Sequence, residues 1–322
     1  MVKTFVGRLV LATLVTLFAA STGLRQFSIV AQETDDPVKV QMYKKFIDNF
    51  KTNLPVAYQA AKDYLQRYQK DKDQYVDYLQ KWVMVYERDE RKRNLPKLLN
   101  EKKFAEAYAL GARILADEPS YLRAQIDLGY AGYLAAASKN ETYNRDALAY
   151  ARKAIQAIEA GAKPVEWAPF KGKDDTLAYL LYAVGYLTLK TNPEQSIDAL
   201  LRAAAYESDI RRTPSTYYFL AAAYQAGPYK TFSTAYQATY ANKPETPESK
   251  AALEKLNVIM DRIIDAYARA IASAGTDPKT EQSRNEWLAQ LSNFYKFRHG
   301  GSDTGLREFI ANSLQQPLPP KP

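Results

Sequence analysis

A spacing that recurs along this chain limits what it can fold into. It consists of a large residue, a Leu or Val three positions later and a small residue directly after that. Tyr217-x-x-Leu220-Ala221-x-x-Tyr224 shows it with a closing aromatic residue, and Leu288-x-x-Leu291-Ser292-x-x-Tyr295 repeats it. Gln125-x-x-Leu128-Gly129 and Leu181-x-x-Val184-Gly185 keep its middle. Steps of three and four residues place these side chains on one helical face, where the small residue lets a second helix approach closely.

The segments that alternate with these helices carry a small or medium residue that recurs after seven positions, as expected for the second helix of a pair. These are Ala107 and Ile114, Ala147 and Ala154, Ser196 and Ala203, and Ile263 and Ala270. Only 13 of the 322 residues are Gly, which also favours helix. We predict six helical hairpins, at about 38–69, 73–117, 120–160, 174–208, 214–274 and 280–315.

Capping side chains and prolines mark where helices should begin and end. A capping residue precedes a first-turn Pro at Asn192-Pro193, Thr213-Pro214 and Thr246-Pro247. Further helix starts are predicted at Pro55 and Pro96, and helix ends at Gly161, Gly227 and Gly275.

The pattern resembles the tetratricopeptide repeat (TPR) family, whose unit is a helix-turn-helix of about 34 residues. Phe104-Ala-Glu-Ala107 through Pro119 is similar to that family's second helix and closing proline, and Leu128-Gly129 to the start of the next unit. The resemblance covers residues 100–298. It implies an all-α fold, an α-solenoid of about six antiparallel hairpins wound as a right-handed superhelix, irregular and with two insertions. An irregular helical bundle is the alternative.

We expect four segments along the chain. Residues 1–31 are predicted to be a signal peptide, because Lys3 and Arg8 precede a short apolar run that ends in small residues. Cleavage is expected after Ala31, which would place the protein in the periplasm or outside the cell, and an uncleaved inner-membrane anchor is the alternative. Residues 32–99 should form N-terminal hairpins, and 100–316 TPR-like repeats with a C-terminal capping helix. A Pro-rich tail at 317–322 should leave the helices, as a frayed end or a polyproline ligand.

Composition argues against several classes of function. The net charge of +8 falls to +5 without residues 1–31, which contain Lys3, Arg8, Arg25 and no acid, so nucleic acid is not an expected partner. The chain has no Cys and one His, His299, in a polar turn. It contains no phosphate-binding Gly loop, no HExxH and no calcium loop. We therefore predict a non-enzyme without a cofactor or a metal.

The resemblance also implies where a ligand would bind, since the first helix of each TPR pair lines the concave surface. Counted from the Leu-Gly landmarks, that surface would present Arg123, Tyr130, Tyr133, Tyr179, Tyr182, Tyr186 and Tyr218. Tyr offers apolar area with a polar tip, which suits extended peptides and amphipathic ligands. Alternatively, these rings pack in the core. Trp167 and Phe170, in a predicted loop, are a second pair of candidates.

These observations favour a protein-binding or assembly scaffold of the bacterial cell envelope that holds a protein or peptide in a TPR-like groove. A helical periplasmic protein that binds a small molecule or lipid is the first alternative. An α-helical hydrolase or lyase that uses acidic residues not identifiable from the sequence is the second. A membrane is expected as a partner only through an uncleaved N-terminal anchor.

Overall fold

The computed structural model describes residues 36–71 and 73–322, and every regular element within them is helical. The prediction of an all-α fold is therefore confirmed. The predicted signal peptide or anchor, residues 1–31, lies outside the described residues. In the part that is described, no helix is both long and apolar enough to cross a membrane. The chain divides into two compact units, one up to Asn100 and one from Glu101.

The N-terminal unit contains helices α1 (Pro37–Asn49), α2 (Leu54–Tyr68) and α3 (Gln74–Asn100). Helix α2 packs against both α1 and α3. Phe46, Tyr64 and Leu79 are fully buried between them. Pro55 lies in the first turn of α2, as predicted. Pro96 lies inside α3, so the prediction that it begins a helix is wrong. The neighbouring Leu95 is buried, and this tertiary packing outweighs the backbone hydrogen bond that Pro96 cannot donate.

The C-terminal unit contains the remaining helices. They are α4 (Phe104–Asp117), α5 (Leu122–Ala137), α6 (Asn144–Glu159), α7 (Lys173–Thr188), α8 (Pro193–Ala205), α9 (Pro214–Tyr224), α10 (Lys230–Tyr240), α11 (Pro247–Ala274), α12 (Glu281–Arg298) and α13 (Leu306–Asn312). Helix α5 packs on α6, α7 on α8, and α11 on both α9 and α12.

The close helix approach expected from the small residues is confirmed. A Cβ added to Gly129 would lie 2.8 Å from the backbone of Ala151 on α6, and one added to Gly185 would lie 2.5 Å from Leu200 on α8. The partner positions predicted on the second helices, such as Ala154 and Ala203, are 0% exposed. The spacing in the sequence thus marks the residues where helices of this unit touch.

Helix ends follow the predicted signals at two of the three glycines. Gly161 and Gly275 have φ angles of 96° and 57° and stand at the ends of α6 and α11. Gly227 does not end a helix, because it lies in a π-helical turn, Gln225–Tyr229, that joins α9 to α10. Its Cβ would lie 2.8 Å from that of Pro193, so glycine here permits close approach to the start of α8.

The tail differs from the expectation that it leaves the helices. Leu318 packs against the hydrophobic core of the C-terminal unit. The buried Arg269 of α11 donates hydrogen bonds to the carbonyl oxygens of Gln316 and Pro317. Backbone carbonyls without local partners accept these bonds, and so the segment is held along α11 instead of fraying.

Candidate ligand-binding face

Nine aromatic rings of the C-terminal unit form a continuous series of contacts, which we call the aromatic face. Neighbouring ring centroids lie 5.0–5.9 Å apart, in mostly tilted and edge-on arrangements that suit the ring quadrupole. The members are Tyr130, Tyr133, Phe170, Tyr179, Tyr182, Tyr186, Tyr218, Phe219 and Trp287.

Helix spacing brings these rings together. Tyr130 and Tyr133 stand three residues apart on α5, and Tyr179, Tyr182 and Tyr186 follow one another by three and four on α7. Helix α7 contacts α5 on one side and α9 on the other. All six tyrosines predicted from the repeat offsets therefore belong to one cluster. Whether a ligand contacts them stays a prediction.

The rings are not equally accessible. Tyr182 is only 2% exposed and belongs to the hydrophobic core, which agrees with the alternative that part of the stripe is core. Trp287 is 8% exposed and lies nearly parallel to Tyr218, with centroids 5.3 Å apart. The other seven rings are half-buried; six of them pack against that core, and Tyr186 contacts two of those six, Tyr133 and Phe219. The face consequently has a buried base and an accessible outer layer.

The hydroxyl groups divide in the same way. The Tyr182 hydroxyl lies 2.7 Å from Ser215 Oγ and 3.4 Å from the Tyr133 hydroxyl. Among the described residues, the hydroxyls of Tyr130, Tyr179, Tyr186 and Tyr218 have no protein hydrogen-bond partner. Burial raises the pKa of Tyr130 and of Tyr179, so both phenols are neutral donors at physiological pH. Four donors are therefore available to a ligand along the outer layer.

A buried ion pair lies on α5 in the two turns before Tyr130. Arg123 Nε donates to Asp127 Oδ2 at 2.7 Å, and Arg123 Nη1 lies 3.3 Å from Glu166 Oε1 in the segment between α6 and α7. Burial raises the pKa of Asp127 to about 6, although the charge and hydrogen bond of Arg123 act in the opposite direction. Arg123, predicted as a ligand contact, has a side chain only 11% exposed and is engaged by these two acids.

This pair makes stability depend on pH. The pKa of Asp127 is about 6 in the folded chain against an ordinary value of 3.8, so the folded state binds more protons and stability falls as pH rises through that window. When the pH is raised from 4.5 to 7.5, the free energy of unfolding of Asp127→Asn should increase by about 2 kcal/mol relative to that of wild type. Urea unfolding of both chains at the two pH values measures this. A constant difference between the chains would contradict the raised pKa.

A second buried acid stands at the start of α7. Asp175 is 7% exposed, and its Oδ2 accepts a hydrogen bond from the Lys171 backbone N–H at 2.9 Å. This bond runs back to the residue before Gly172, the N-cap of α7, and no described side chain caps the first turn of that helix. Within the described part of the chain, Asp175 Oδ1 has no hydrogen-bond partner. Its charge adds to burial in raising the pKa of Tyr130 and of Tyr179, which places the carboxylate near both rings.

The segment between α6 and α7 carries the other two predicted contacts. Phe170 touches Tyr130 and Tyr179, with centroids 5.7 and 5.3 Å away, and so extends the aromatic face. Trp167 is half-buried against the core of the same unit, and its carbonyl oxygen accepts a hydrogen bond from the Phe170 N–H at 2.9 Å. The segment thus lies over α5 and α7.

Four residues of this region were missed from the sequence. Phe219 directly follows the predicted Tyr218 on α9, and the repeat offsets did not include it. Trp287 reaches Tyr218 from α12, a contact without a local signal. Asp127 follows Arg123 by four residues, the spacing of a helical ion pair. Asp175 lies in the first turn of α7, where an acidic residue is ordinary and does not mark a site. The described residues bring together no group of three His, Asp or Glu side chains that could hold a metal.

No family model, curated protein or solved structure matches this chain. Membership of the TPR family therefore stays a prediction that rests on the residue spacing.

Proposed function

We propose that this protein is a non-enzymatic binding scaffold of the bacterial cell envelope, and that its aromatic face holds an extended segment of a partner protein. Export through residues 1–31 and a TPR-like solenoid path for the helix pairs are parts of the same proposal. In such an array α5, α7 and α9 are the first helices of successive pairs, and their accessible residues line the concave surface.

The observation that carries the proposal is the run of half-buried rings with unpaired phenol groups. Half-buried tyrosines lose little rotamer freedom on binding, because their rings are already fixed by neighbours at 5.0–5.9 Å. Their hydroxyls can donate to the carbonyl oxygens of an extended backbone. Rings of this kind are the side chains that most often dominate binding energy at protein interfaces.

The buried base of the face supports this role. Tyr182 packs among the core residues and joins α5 to α9 through its hydrogen bonds to Tyr133 and Ser215. The Tyr130 and Tyr179 hydroxyls would together offer two donors at the Phe170 end. The carbonyl oxygens of an extended peptide backbone are complementary acceptors for them.

A photo-crosslinking experiment tests the proposal. A benzophenone amino acid is placed at Tyr186 in one chain and at Tyr236 in another. Tyr236 is a matched control on α10, where its ring contacts Tyr240. Illumination of an envelope preparation should join a protein to the first chain and not to the second. A crosslinked lipid or small molecule at Tyr186 would favour the first alternative function.

Variants then measure the contribution of the face. Tyr179→Ala with Tyr186→Ala should weaken retention of the crosslinked partner at least about tenfold, since each ring is an expected hot spot. Tyr236→Ala with Tyr240→Ala should leave retention unchanged. Both double variants are first compared with wild type by thermal melting. Equal retention by all three folded chains would show that the aromatic face is not the binding site.

A further inference from the structure

Residues 316–322 are held against α8 and α11 by contacts from one end to the other. Arg269 Nη2 donates to the carbonyl oxygens of Gln316 and Pro317 at 3.1 and 2.9 Å, and Arg262 Nε donates to that of Pro320 at 2.8 Å. Lys321 Nζ lies 3.0 Å from Glu194 Oε2 and 2.9 Å from Asp198 Oδ1. We call Glu194, Asp198, Arg262 and Arg269 the tail site.

The chemistry of the tail site matches a proline-rich strand. Four of the last six residues are Pro, which has no N–H, so these four offer only a carbonyl oxygen as a backbone hydrogen-bonding group. The two arginines supply donors alone, and the two acids select a positive side chain. Arg269 is 3% exposed and is oriented by Asp265 Oδ2 at 2.7 Å, so part of the site is fixed before a strand arrives.

A cavity of about 420 Å³ adjoins the end of this strand. Lys321 and Pro322 form one wall of the cavity, and its other walls are mainly apolar. They are provided by Glu194, Tyr224, Pro228, Phe232, Lys255, Val258 and Ile259. Phe232 is 43% exposed there, and the buried Tyr224 hydroxyl has no hydrogen-bond partner in the described part of the chain. The volume lies in the range of ligand-binding cavities and would take a large side chain.

We propose that the tail site binds an extended proline-rich segment of a partner protein, one that carries a lysine followed closely by a large apolar residue. Residues 317–322 occupy the site in the free chain and are displaced by that segment. Because the tail is tethered, its effective concentration is high, of millimolar order for short linkers. A partner overcomes this by filling the cavity, and burial of one large side chain is worth about tenfold to a hundredfold in affinity.

This inference concerns α8 and α11 and does not depend on the aromatic face. Its test uses a fluorescent peptide with the sequence of residues 316–322 and one added C-terminal tryptophan, titrated with full-length chains by anisotropy. Lys321→Glu places an acid beside Glu194 and Asp198 and should release the tail, so this chain should bind the peptide at least about tenfold more tightly than wild type. Lys321→Gln, which removes only the two ion pairs, should show the same direction of change.

Three controls complete the experiment. Adding Asp198→Lys to the Lys321→Glu chain should abolish the gain in peptide affinity. A peptide with Glu in place of its lysine should bind at least about tenfold more weakly. A peptide without the tryptophan should also bind more weakly to the Lys321→Glu chain. Equal binding to wild type and Lys321→Glu, or none to either released chain, would overturn the proposal. The proposal would also be overturned if wild type formed concentration-dependent dimers that the Lys321→Glu chain did not form. The tail of a second copy would then be the occupant of the site.

Discussion

Gly132→Ala should destabilise the C-terminal unit by about 3 kcal/mol or more, one of the two largest effects we expect in this chain. A Cβ at this position would lie 2.0 Å from the Cβ of Ala147, far inside van der Waals contact. Alanine would gain about 1 kcal/mol of helix propensity, which offsets only part of the overlap. Because α5 and α6 pack along their lengths, the clash can be relieved only by separating two helices.

A second substitution makes this prediction specific. Ala147→Gly removes the Cβ that clashes, and the nearest atom of residue 147 is then its Cα, at an ordinary 3.5 Å. The Tyr108 hydroxyl remains at 3.0 Å and can adjust, since it is the end of a side chain. The double variant should therefore recover most of the stability that Gly132→Ala loses.

Thermal melting and urea unfolding of the four chains give the coupling free energy directly. For a unit of this size, about 3 kcal/mol corresponds to a fall in Tm of about 6–12 °C. Two results would show that the close α5–α6 contact is not the reason for glycine at this position. One is a Gly132→Ala chain that melts like wild type. The other is a double variant that is less stable than Gly132→Ala because Ala147→Gly only adds its own destabilisation.

The sequence predicted this contact region because close helix packing leaves a local trace. Gly129, Gly185 and Ala221 follow a Leu or Val at fixed spacing, and each is buried where a partner helix passes. Helix starts were equally visible, since Thr246 and Ser249 form a capping box at α11. Signals of this kind involve residues within one or two turns, where a single sequence is informative.

Features that depend on tertiary packing were less predictable. Helix α9 packs against α11, while the intervening α10 contains no buried residue. The π-helical turn at Gly227 and the helical Pro96 both break a local rule for the sake of contacts far along the chain. The docked tail is a third case, because its partners Arg269 and Asp198 are distant in sequence.

The candidate site shows the same division. The repeat spacing predicted the six tyrosines. However, the residue two positions before the Leu or Val of the repeat lies in the core in two helices, since Ile126 and Tyr182 are each 2% exposed. The same position on α9 is the half-buried Tyr218. Offsets define a direction on one helix, whereas exposure depends on how neighbouring helices cover it. The chemistry of a partner is not encoded in these spacings at all.

Tyr182→Ala should lower the free energy of unfolding by about 3–5 kcal/mol, as for other large aromatic side chains removed from a core. The ring is 2% exposed and contacts Tyr133 and Phe219, at centroid distances of 5.0 and 5.9 Å. Its loss would leave a cavity between α5, α7 and α9. Urea unfolding at pH 7.5 measures the effect, with Tyr186→Ala as the comparison, because that ring is half-buried and should cost only about 1–2 kcal/mol.

Tyr182→Phe separates packing from hydrogen bonding at the same position. It keeps the ring and removes the contacts to Ser215 and Tyr133, so it should cost about 1 kcal/mol. If Tyr182 belongs to the base of the aromatic face, Tyr182→Phe should retain the partner crosslinked at position 186. An unchanged melt with lost retention would instead place the Tyr182 hydroxyl in contact with the ligand. A Tyr182→Ala chain as stable as wild type would remove the ring from the core altogether, and the face would then have no rigid base on which to hold a partner.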